Sequence, residues 1–377
     1  MADAPITAPR PAADLLGTLV DPATPAQRRS LVEQRLDRIR GFARDRGAAS
    51  ALLASRANVA WATAGGQHHV VTATETGVAR LLVTADRAWL VAPSIEVARL
   101  LEEEVPDLGI DVIGIPWWEP ARLDEAVSRL AGDARPLDDA DLGAELGAAR
   151  SILDPTDQAR LAILGAVGEQ AVLDALVAVE PGRTEDELGA SLVGRLVGAR
   201  APVVLVAADE RIARYRHPLP GPLPIRTRVM LVLVAEAWGL HVAVTRFREF
   251  EPPGADLADR ILATAEVHRV MSEATVVGAT LGDVFQAAQA GYDAAGFPDE
   301  WQDHHQGGTI AYQGREVVAV PGDPTRIEAG MALAWNPSIA GAKAEDTFLL
   351  TADGQRRFVT GSAPAPARPT NVSSPRP

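Results

Sequence analysis

The rare reactive residues of this sequence cluster between Trp301 and Leu350. Two of the seven histidines, His304 and His305, are adjacent there and come just before a pair of glycines. The same stretch contains further polar residues next to two short apolar runs, namely Arg315, Asn336, Lys343 and Glu345. Imidazoles transfer protons near neutral pH and cationic side chains bind carboxylates, so we predict a site for acid–base chemistry. A β-hairpin with a solvated, charged face is the alternative, and this stretch alone leaves both open.

Length and composition limit the class of protein. The chain has 377 residues, 47% of them hydrophobic, and a formal net charge of -14. This length indicates about two domains of roughly 150 residues each. The negative charge argues against a nucleic-acid or anionic-membrane surface, which would need a basic patch. Without cysteine there are neither disulfides nor Cys-based metal sites. With no signal-like N-terminus and no apolar run near about 18 residues, we predict a soluble, cytoplasmic protein.

The first half of the chain alternates helix and strand signals. Apolar residues recur at spacings of three and four between Leu31 and Phe42, which predicts a helix that ends near Gly47. Short apolar runs predict four strands, at 51–54, 80–84, 88–92 and 111–115. This alternation is typical of an α/β domain. We place that domain at residues 25–150, after an irregular Ala/Pro-rich arm at 1–24.

The second half contains a weak internal repeat. Thr184 is followed three residues later by Glu187, and Thr280 by Asp283, which is the spacing of a helix capping box. A long predicted helix precedes each copy and predicted strands follow it. We therefore predict a domain with pseudo-twofold symmetry at residues 151–361, with a chance coincidence of two capping boxes as the alternative. The Pro-rich residues 362–377 are predicted to be a disordered tail.

The order of these motifs resembles that of the pita-bread family, which includes methionine aminopeptidase, Xaa-Pro peptidases and creatinase. Four segments carry the resemblance: Asn58–Ala64, Pro181–Leu188, Gly330-Met331 and Glu345–Thr347. Together they extend over essentially the whole folded chain. The resemblance implies an α/β (α+β) fold, in which a creatinase-type N-terminal domain precedes a pita-bread catalytic domain with a pseudo-twofold repeat.

The residues that hold metal in this family are mostly missing here. Its metal-dependent members bind two divalent cations with two aspartates, one histidine and two glutamates. In the matching positions Ala243 replaces the second aspartate, Asn336 replaces a glutamate, and the stretch 229–235 contains no carboxylate. Only Glu345 and one of the adjacent histidines remain. One carboxylate and one imidazole cannot offset two dications, so we predict no catalytic metal and no cofactor.

The resemblance also implies roles for individual residues. His217 matches the proton-shuttling histidine of the family, although a surface histidine in a proline-rich loop is the alternative. The other predicted catalytic residues are Glu345, His304 and His305, and either histidine could face the site. The predicted substrate-binding residues are Lys343, Arg315, Asn336, Arg246 and His69. A homodimer is implied as well, in which the loop 65–69 of one subunit reaches the other subunit's site.

The loss of metal ligands is similar to the condition of creatinase. It implies a metal-independent hydrolase or lyase that cleaves a C–N bond in a small, polar, amino-acid-like substrate by general acid–base catalysis. Glu345 would hydrogen-bond a cationic group of this substrate, while Lys343 and Arg315 would hold its carboxylate. The alternatives are a metal-dependent Xaa-Pro dipeptidase or aminopeptidase, a non-catalytic binding protein, and a biosynthetic enzyme of specialised metabolism.

Overall fold

The structure, a computed structural model, describes residues 19–132 and 134–361. The predicted tail and residues 1–18 of the predicted arm lie outside this part of the chain. Helix α1, Pro25–Asp45, begins at a capping box. The Thr24 hydroxyl accepts a hydrogen bond from the backbone N–H of Gln27, and the Gln27 side chain accepts one from the backbone N–H of Thr24. These bonds satisfy two backbone groups at the start of the helix, which fixes where it begins.

The N-terminal half is built on a five-stranded mixed sheet. Its strands are β1 Ser50–Ser55, β2 Thr76–Thr84, β3 Ala88–Pro93, β4 Asp111–Ile115 and β5 Leu137–Asp138. They lie in the order β4-β3-β2-β1-β5, and only the β3–β4 and β1–β5 pairs are parallel. The accompanying helices are α2 Arg56–Ala62, α3 Val97–Arg99, α4 Ala121–Ala131 and α5 Gly143–Ser151. The four strands and the first helix predicted for this half are confirmed.

The described part of the C-terminal half, which ends at residue 361, contains five α-helices and two larger sheets. The helices are α6 Pro155–Ala178, α7 Glu185–Val193, α8 Glu210–Arg214, α9 Ala255–Ala274 and α10 Leu281–Ala294. One sheet is antiparallel and consists of β6 Arg200–Ala208, β7 Arg228–Ala237 and β8 Leu240–Glu249. The remaining strands are β9 Gly307–Thr309, β10 Val317–Val318, β11 Ala332–Trp335, β12 Ser338–Ile339, β13 Ala342–Lys343, β14 Asp346–Leu350 and β15 Arg356–Phe358. Of these, β12 and β13 form a small hairpin, and the others form a sheet in the order β10-β9-β11-β14-β15.

The predicted internal repeat is present in the structure. Both capping boxes form, at Thr184 before α7 and at Thr280 before α10. The glycine two residues before each cap has a positive φ, 93° at Gly182 and 92° at Gly278. Their backbone N–H groups donate to equivalent carbonyls, those of Ile225 and Ile327, at 2.7 and 2.9 Å. The two copies therefore share their backbone geometry as well as their sequence pattern.

Helix α6 is apolar enough to cross a membrane by length and composition alone, contrary to the expectation that no such run exists. Half of its most apolar window is buried inside the protein. The helix packs against β7 and β8, where Leu161, Leu164 and Val172 belong to the main hydrophobic core. Its apolar character is thus explained by burial against the sheet.

A tight hairpin turn of the C-terminal half packs against the N-terminal half. Strands β7 and β8 are connected by Trp238 and Gly239, whose φ angles of 52° and 78° are those of a type I′ turn. A side-chain carbon at Gly239 would lie only 2.5 Å from the Cβ of Ala60 on α2. Glycine therefore lets the tip of the C-terminal hairpin pack directly on the N-terminal half, next to the cavity described below.

Candidate active site

A cavity of about 570 Å³ lies on one face of the β6–β7–β8 sheet. Helix α2 and the loop that follows it form one wall, and the loops after β9 and β11 form the other. Seven of the predicted site residues line it: His69, His217, His305, Arg315, Asn336, Lys343 and Glu345. The structure thus brings together side chains that are far apart in the sequence.

The floor of the cavity is formed by alternate residues of the sheet. In β7 these are Val232, Val234 and Glu236, and in β6 they are Val203 and Leu205. Side chains in a strand alternate between its faces, so Leu231 and Leu233 point the other way, into the core. The floor is apolar over most of its length and becomes acidic at Glu236.

Glu345 lies at the centre of a buried ion cluster. Its Oε2 lies 3.0 Å from Lys343 Nζ and its Oε1 lies 2.9 Å from Arg315 Nη2. The Thr245 hydroxyl donates to the same carboxylate at 2.6 Å, and the Asn336 side-chain amide donates at 3.4 Å. Burial alone would raise the pKa of Glu345, but the adjacent Lys343 and Arg315 lower it well below its usual range. The carboxylate is therefore ionised, and two cations share one negative charge.

This arrangement changes two expectations. The alternative of a solvated, charged hairpin face is wrong, because Glu345 is only 2% exposed. The expected hydrogen bond from a cationic substrate group to Glu345 is also disfavoured, because both carboxylate oxygens already accept from the protein. Glu345 instead holds Lys343 and Arg315 in place on the cavity wall.

Three histidines meet beside this cluster. His304 Nε2 lies 3.1 Å from His217 Nε2, and the ring centre of His305 is 4.5 Å from that of His304. His305 and the exposed His217 line the cavity, while His304 is buried behind them. Burial and the Lys343 cation lower the pKa of His304 to about 2, and burial and Arg315 lower that of His305 to about 4. Burial and the Lys343 cation also lower the pKa of His217. All three imidazoles are neutral at pH 7.

The pKa values of all seven histidines are lowered, mainly by burial. In the unfolded chain the pKa of histidine is about 6.5, so below that pH the unfolded state binds more protons than the folded state. We therefore expect the stabilising contribution of the neutral histidines to the free energy of unfolding to be fully present above pH 6.5. It should fall as the pH drops towards 4. Burial raises the pKa of Asp346 to about 6 and also raises the pKa of Asp157, so these two carboxyl groups oppose the trend.

Urea unfolding at pH 7 and pH 5 measures this effect. His268 is 3% exposed, lies on α9 and has a pKa near 4 because of burial. In the variant His268→Gln, the free energy of unfolding should change less steeply with pH. The difference is at most the contribution of one proton, about 1.4 kcal/mol per pH unit. Equal stability of the natural protein at the two pH values would contradict the burial of neutral imidazoles.

Two predicted contacts are placed differently by the structure. Arg246 does not line the cavity: it pairs with Glu169 at 2.7 Å and with Asp346 at 2.6 Å. Its alternate position on β8, next to Thr245, points it away from the floor, so its assignment to substrate binding is wrong. The loop 65–69 places His69 in the cavity of its own chain rather than extending outward. The homodimer itself stays a prediction.

The sequence analysis missed a second polar end of the cavity. It is formed by the buried Glu236, which pairs with Arg56 at 3.0 Å, together with His241. The signal that reveals it is the β7–β8 register, which places His241 directly opposite Glu236. That register depends on the hairpin turn, which no local sequence pattern had predicted.

The sequence of the C-terminal half matches a known family. Residues 160–352, more than half of the chain, match metallopeptidase family M24, and residues 35–147 match the creatinase/prolidase N-terminal domain. The chain belongs to metallopeptidase family M24. The predicted pita-bread fold with a creatinase-type N-terminal domain is confirmed, and as an M24 member the protein is a peptidase-like hydrolase. No curated protein matches the sequence.

Solved M24-type structures share this architecture at low sequence identity. Dipeptidase PepE from Mycobacterium ulcerans is 20% identical with a TM-score of 0.70, over 89% of this chain and 96% of its own. Prolidase from Thermococcus sibiricus is 16% identical with a TM-score of 0.73, over 88% and 97%. The N-terminal domain of the FACT complex subunit SPT16 from Eremothecium gossypii is 13% identical with a TM-score of 0.63, over 89% and 97%. Identities this low show a shared fold only.

The residues at the M24 metal position fit a pair of cations poorly. In the β7–β8 ladder the buried Ala243 lies opposite Val234. Val234 and Val232 line the cavity here, so this part of the floor is apolar. Glu345 is already neutralised by two cations. Dications in proteins need several free carboxylate or imidazole ligands, and this floor presents none.

A single ion between the three histidines is the remaining geometric option. Their ring nitrogens lie within 4.8 Å of one another, and they are the one such cluster among the described residues. A metal-bound imidazole normally donates its other N–H to an acceptor. Within the described chain, Nδ1 of His304 and Nδ1 of His305 are buried without any such partner. Lys343 also places a positive charge beside them, so this set fits a dication poorly as well.

Proposed function

We propose that this M24 protein hydrolyses a C–N bond in a small, amino-acid-like substrate without using a metal ion. The observation that carries the proposal is the neutral His217–His304 pair beside a buried ion cluster with one positive charge in excess. A neutral imidazole can accept a proton from water. A cluster with excess positive charge can hold an anionic group and stabilise negative charge that develops during the reaction.

His217 is the general acid and base of the proposed reaction. It takes a proton from the attacking water while the water oxygen bonds to the carbon of the C–N bond. The resulting imidazolium then gives this proton to the leaving nitrogen, so the hydroxyl group stays on carbon and the amine leaves neutral. The hydrogen bond between the two Nε2 atoms, 3.1 Å long, holds the His217 ring in one orientation through His304.

Two buried polar atoms on the cavity wall support an amino-acid-like substrate. Arg315 Nε, a donor, and Asn336 Oδ1, an acceptor, lack hydrogen-bond partners within the described part of the chain. Buried polar groups are normally satisfied, which favours a ligand that completes both bonds. A carboxylate would accept from Arg315 and Lys343, and an N–H group would donate to Asn336. A small molecule with both groups fits this wall.

The direct experiment is a screen for release of amine or ammonia. Amidino acids, N-acyl amino acids and Xaa-Pro dipeptides are incubated with the purified protein, with and without EDTA. We expect release from one of the first two classes at a rate that EDTA leaves unchanged. Release from Xaa-Pro dipeptides that EDTA stops and Mn²⁺ restores would contradict the proposal and establish the metal-dependent dipeptidase instead.

A further inference from the structure

The cavity floor extends between two polar ends that are separated along β7. Thr245, which binds Glu345, lies opposite Val232 in the β7–β8 ladder, and His241 lies opposite Glu236. Four residues separate Val232 from Glu236, which corresponds to about 13 Å at about 3.3 Å per residue. The cationic wall and the Arg56–Glu236 ion pair are thus well apart, and the surface between them is apolar.

The apolar part of this floor comes from two adjacent strands. Val203 and Leu205 of β6 lie opposite Val234 and Val232 of β7, and all four line the cavity. Directly opposite residues share a face of the sheet, so these side chains form one continuous surface. Carboxylate-based cation binding is impossible on such a surface, whereas it can bury hydrocarbon.

From this geometry we infer that the ligand is an amphipathic carboxylate, with its anionic head at Lys343 and Arg315 and an apolar body on the valine floor. The inference rests on the proposed function, because it describes the substrate of the same site. It adds that substrate atoms occupy the place where M24 metal ligands would stand. The cavity therefore selects carboxylates whose hydrocarbon part reaches from the ion cluster towards Glu236.

Chain length is the property that separates this ligand class from any simple anion. Each methylene group that becomes buried on the floor should strengthen binding about fourfold, from about 0.8 kcal/mol per group. A site that recognises only the carboxylate would bind short and long chains alike. The arrangement therefore predicts a steep rise in affinity with chain length.

The experiment is a ligand-observed NMR titration of the full-length protein with acetate, butyrate and hexanoate at pH 7. We expect the dissociation constant to fall about fourfold for each added methylene. Equal dissociation constants for the three acids would overturn the inference, because the site would then bind only an anion.

Substitutions at Val234, in the floor, test where the hydrocarbon part of the ligand binds. Val234→Asp should abolish the advantage of hexanoate over acetate, and the isosteric Val234→Thr should reduce it if the aspartate variant fails to fold. Val177→Asp is the matched control, since Val177 is 76% exposed on α6, and it should retain the full advantage. A hexanoate advantage that survives both Val234 variants would place the apolar contact elsewhere and overturn the inference.

These titrations measure binding without turnover. If hexanoate binds as expected but no amine is released from any substrate class, the proposed hydrolysis fails while the amphipathic ligand stands. If amine is released and the acids bind equally, the hydrolysis stands and the inference about the floor fails.

Discussion

Replacing His217 with alanine is expected to lower turnover by roughly a hundred- to ten-thousand-fold on the substrate found by amine release, the usual scale for a general acid or base. His217 accepts and returns the proton in the proposed reaction, and His304 is the residue that holds its ring. Substrate affinity should change little, because Lys343 and Arg315 hold the carboxylate. The measurement is kcat and KM for both proteins, from initial rates at substrate concentrations below and above KM.

Arg214→Ala is the matched control for this variant. Arg214 is exposed in the same segment, three residues before His217, and contacts Tyr215 rather than the cavity. Its turnover should equal that of the natural protein. Unchanged turnover of His217→Ala would show that His217 is not the base. The role would then pass to His305, which also lines the cavity.

Replacing Glu345 with glutamine is expected to destabilise the fold by about 3–5 kcal/mol, the cost of leaving a buried charge unpaired. The substitution removes the negative charge that pairs with both Lys343 and Arg315. Because the pKa of Glu345 is held below its usual range, its stabilising contribution is complete above about pH 4.5, the ordinary pKa of a glutamate, and is lost progressively as the pH falls below that value. Urea unfolding at pH 7 measures the loss.

The double variant Lys343→Met with Glu345→Gln tests the electrostatic cause. It restores the single positive charge in excess that the natural cluster has, so it should recover a large part of the lost stability. If the double variant is as unstable as Glu345→Gln alone, the loss arises from packing and not from unpaired charge.

Local signals in the sequence were sufficient for much of this fold. The Thr184 and Thr280 capping boxes are formed by residues three apart, so the chain reveals them without tertiary information. The histidine pair and Lys343 stood out because histidine and lysine are rare in this sequence, and Glu345 stood out because it lies in a segment that resembles the family. All of them lie in or beside the cavity.

Properties that depend on long-range pairing could not be predicted from the sequence. Arg246 and Thr245 are neighbours in the chain, yet only the strand register shows that one faces Asp346 and the other the cavity side. Glu345 looked like a substrate ligand because its partners, Arg315 and Thr245, are 30 and 100 residues away. The apolar floor was invisible for the same reason, since its residues come from two strands, β6 and β7.

Metal content is the measurement that tests the central claim most directly. Protein purified without a histidine tag from cells grown with added zinc, manganese and iron is analysed by plasma mass spectrometry after gel filtration. Our account predicts far less than one equivalent of any transition metal per chain, because Glu345 is neutralised and the floor at Val232 and Val234 offers no ligand. Two equivalents per chain, with activity that chelation removes and metal restores, would contradict it.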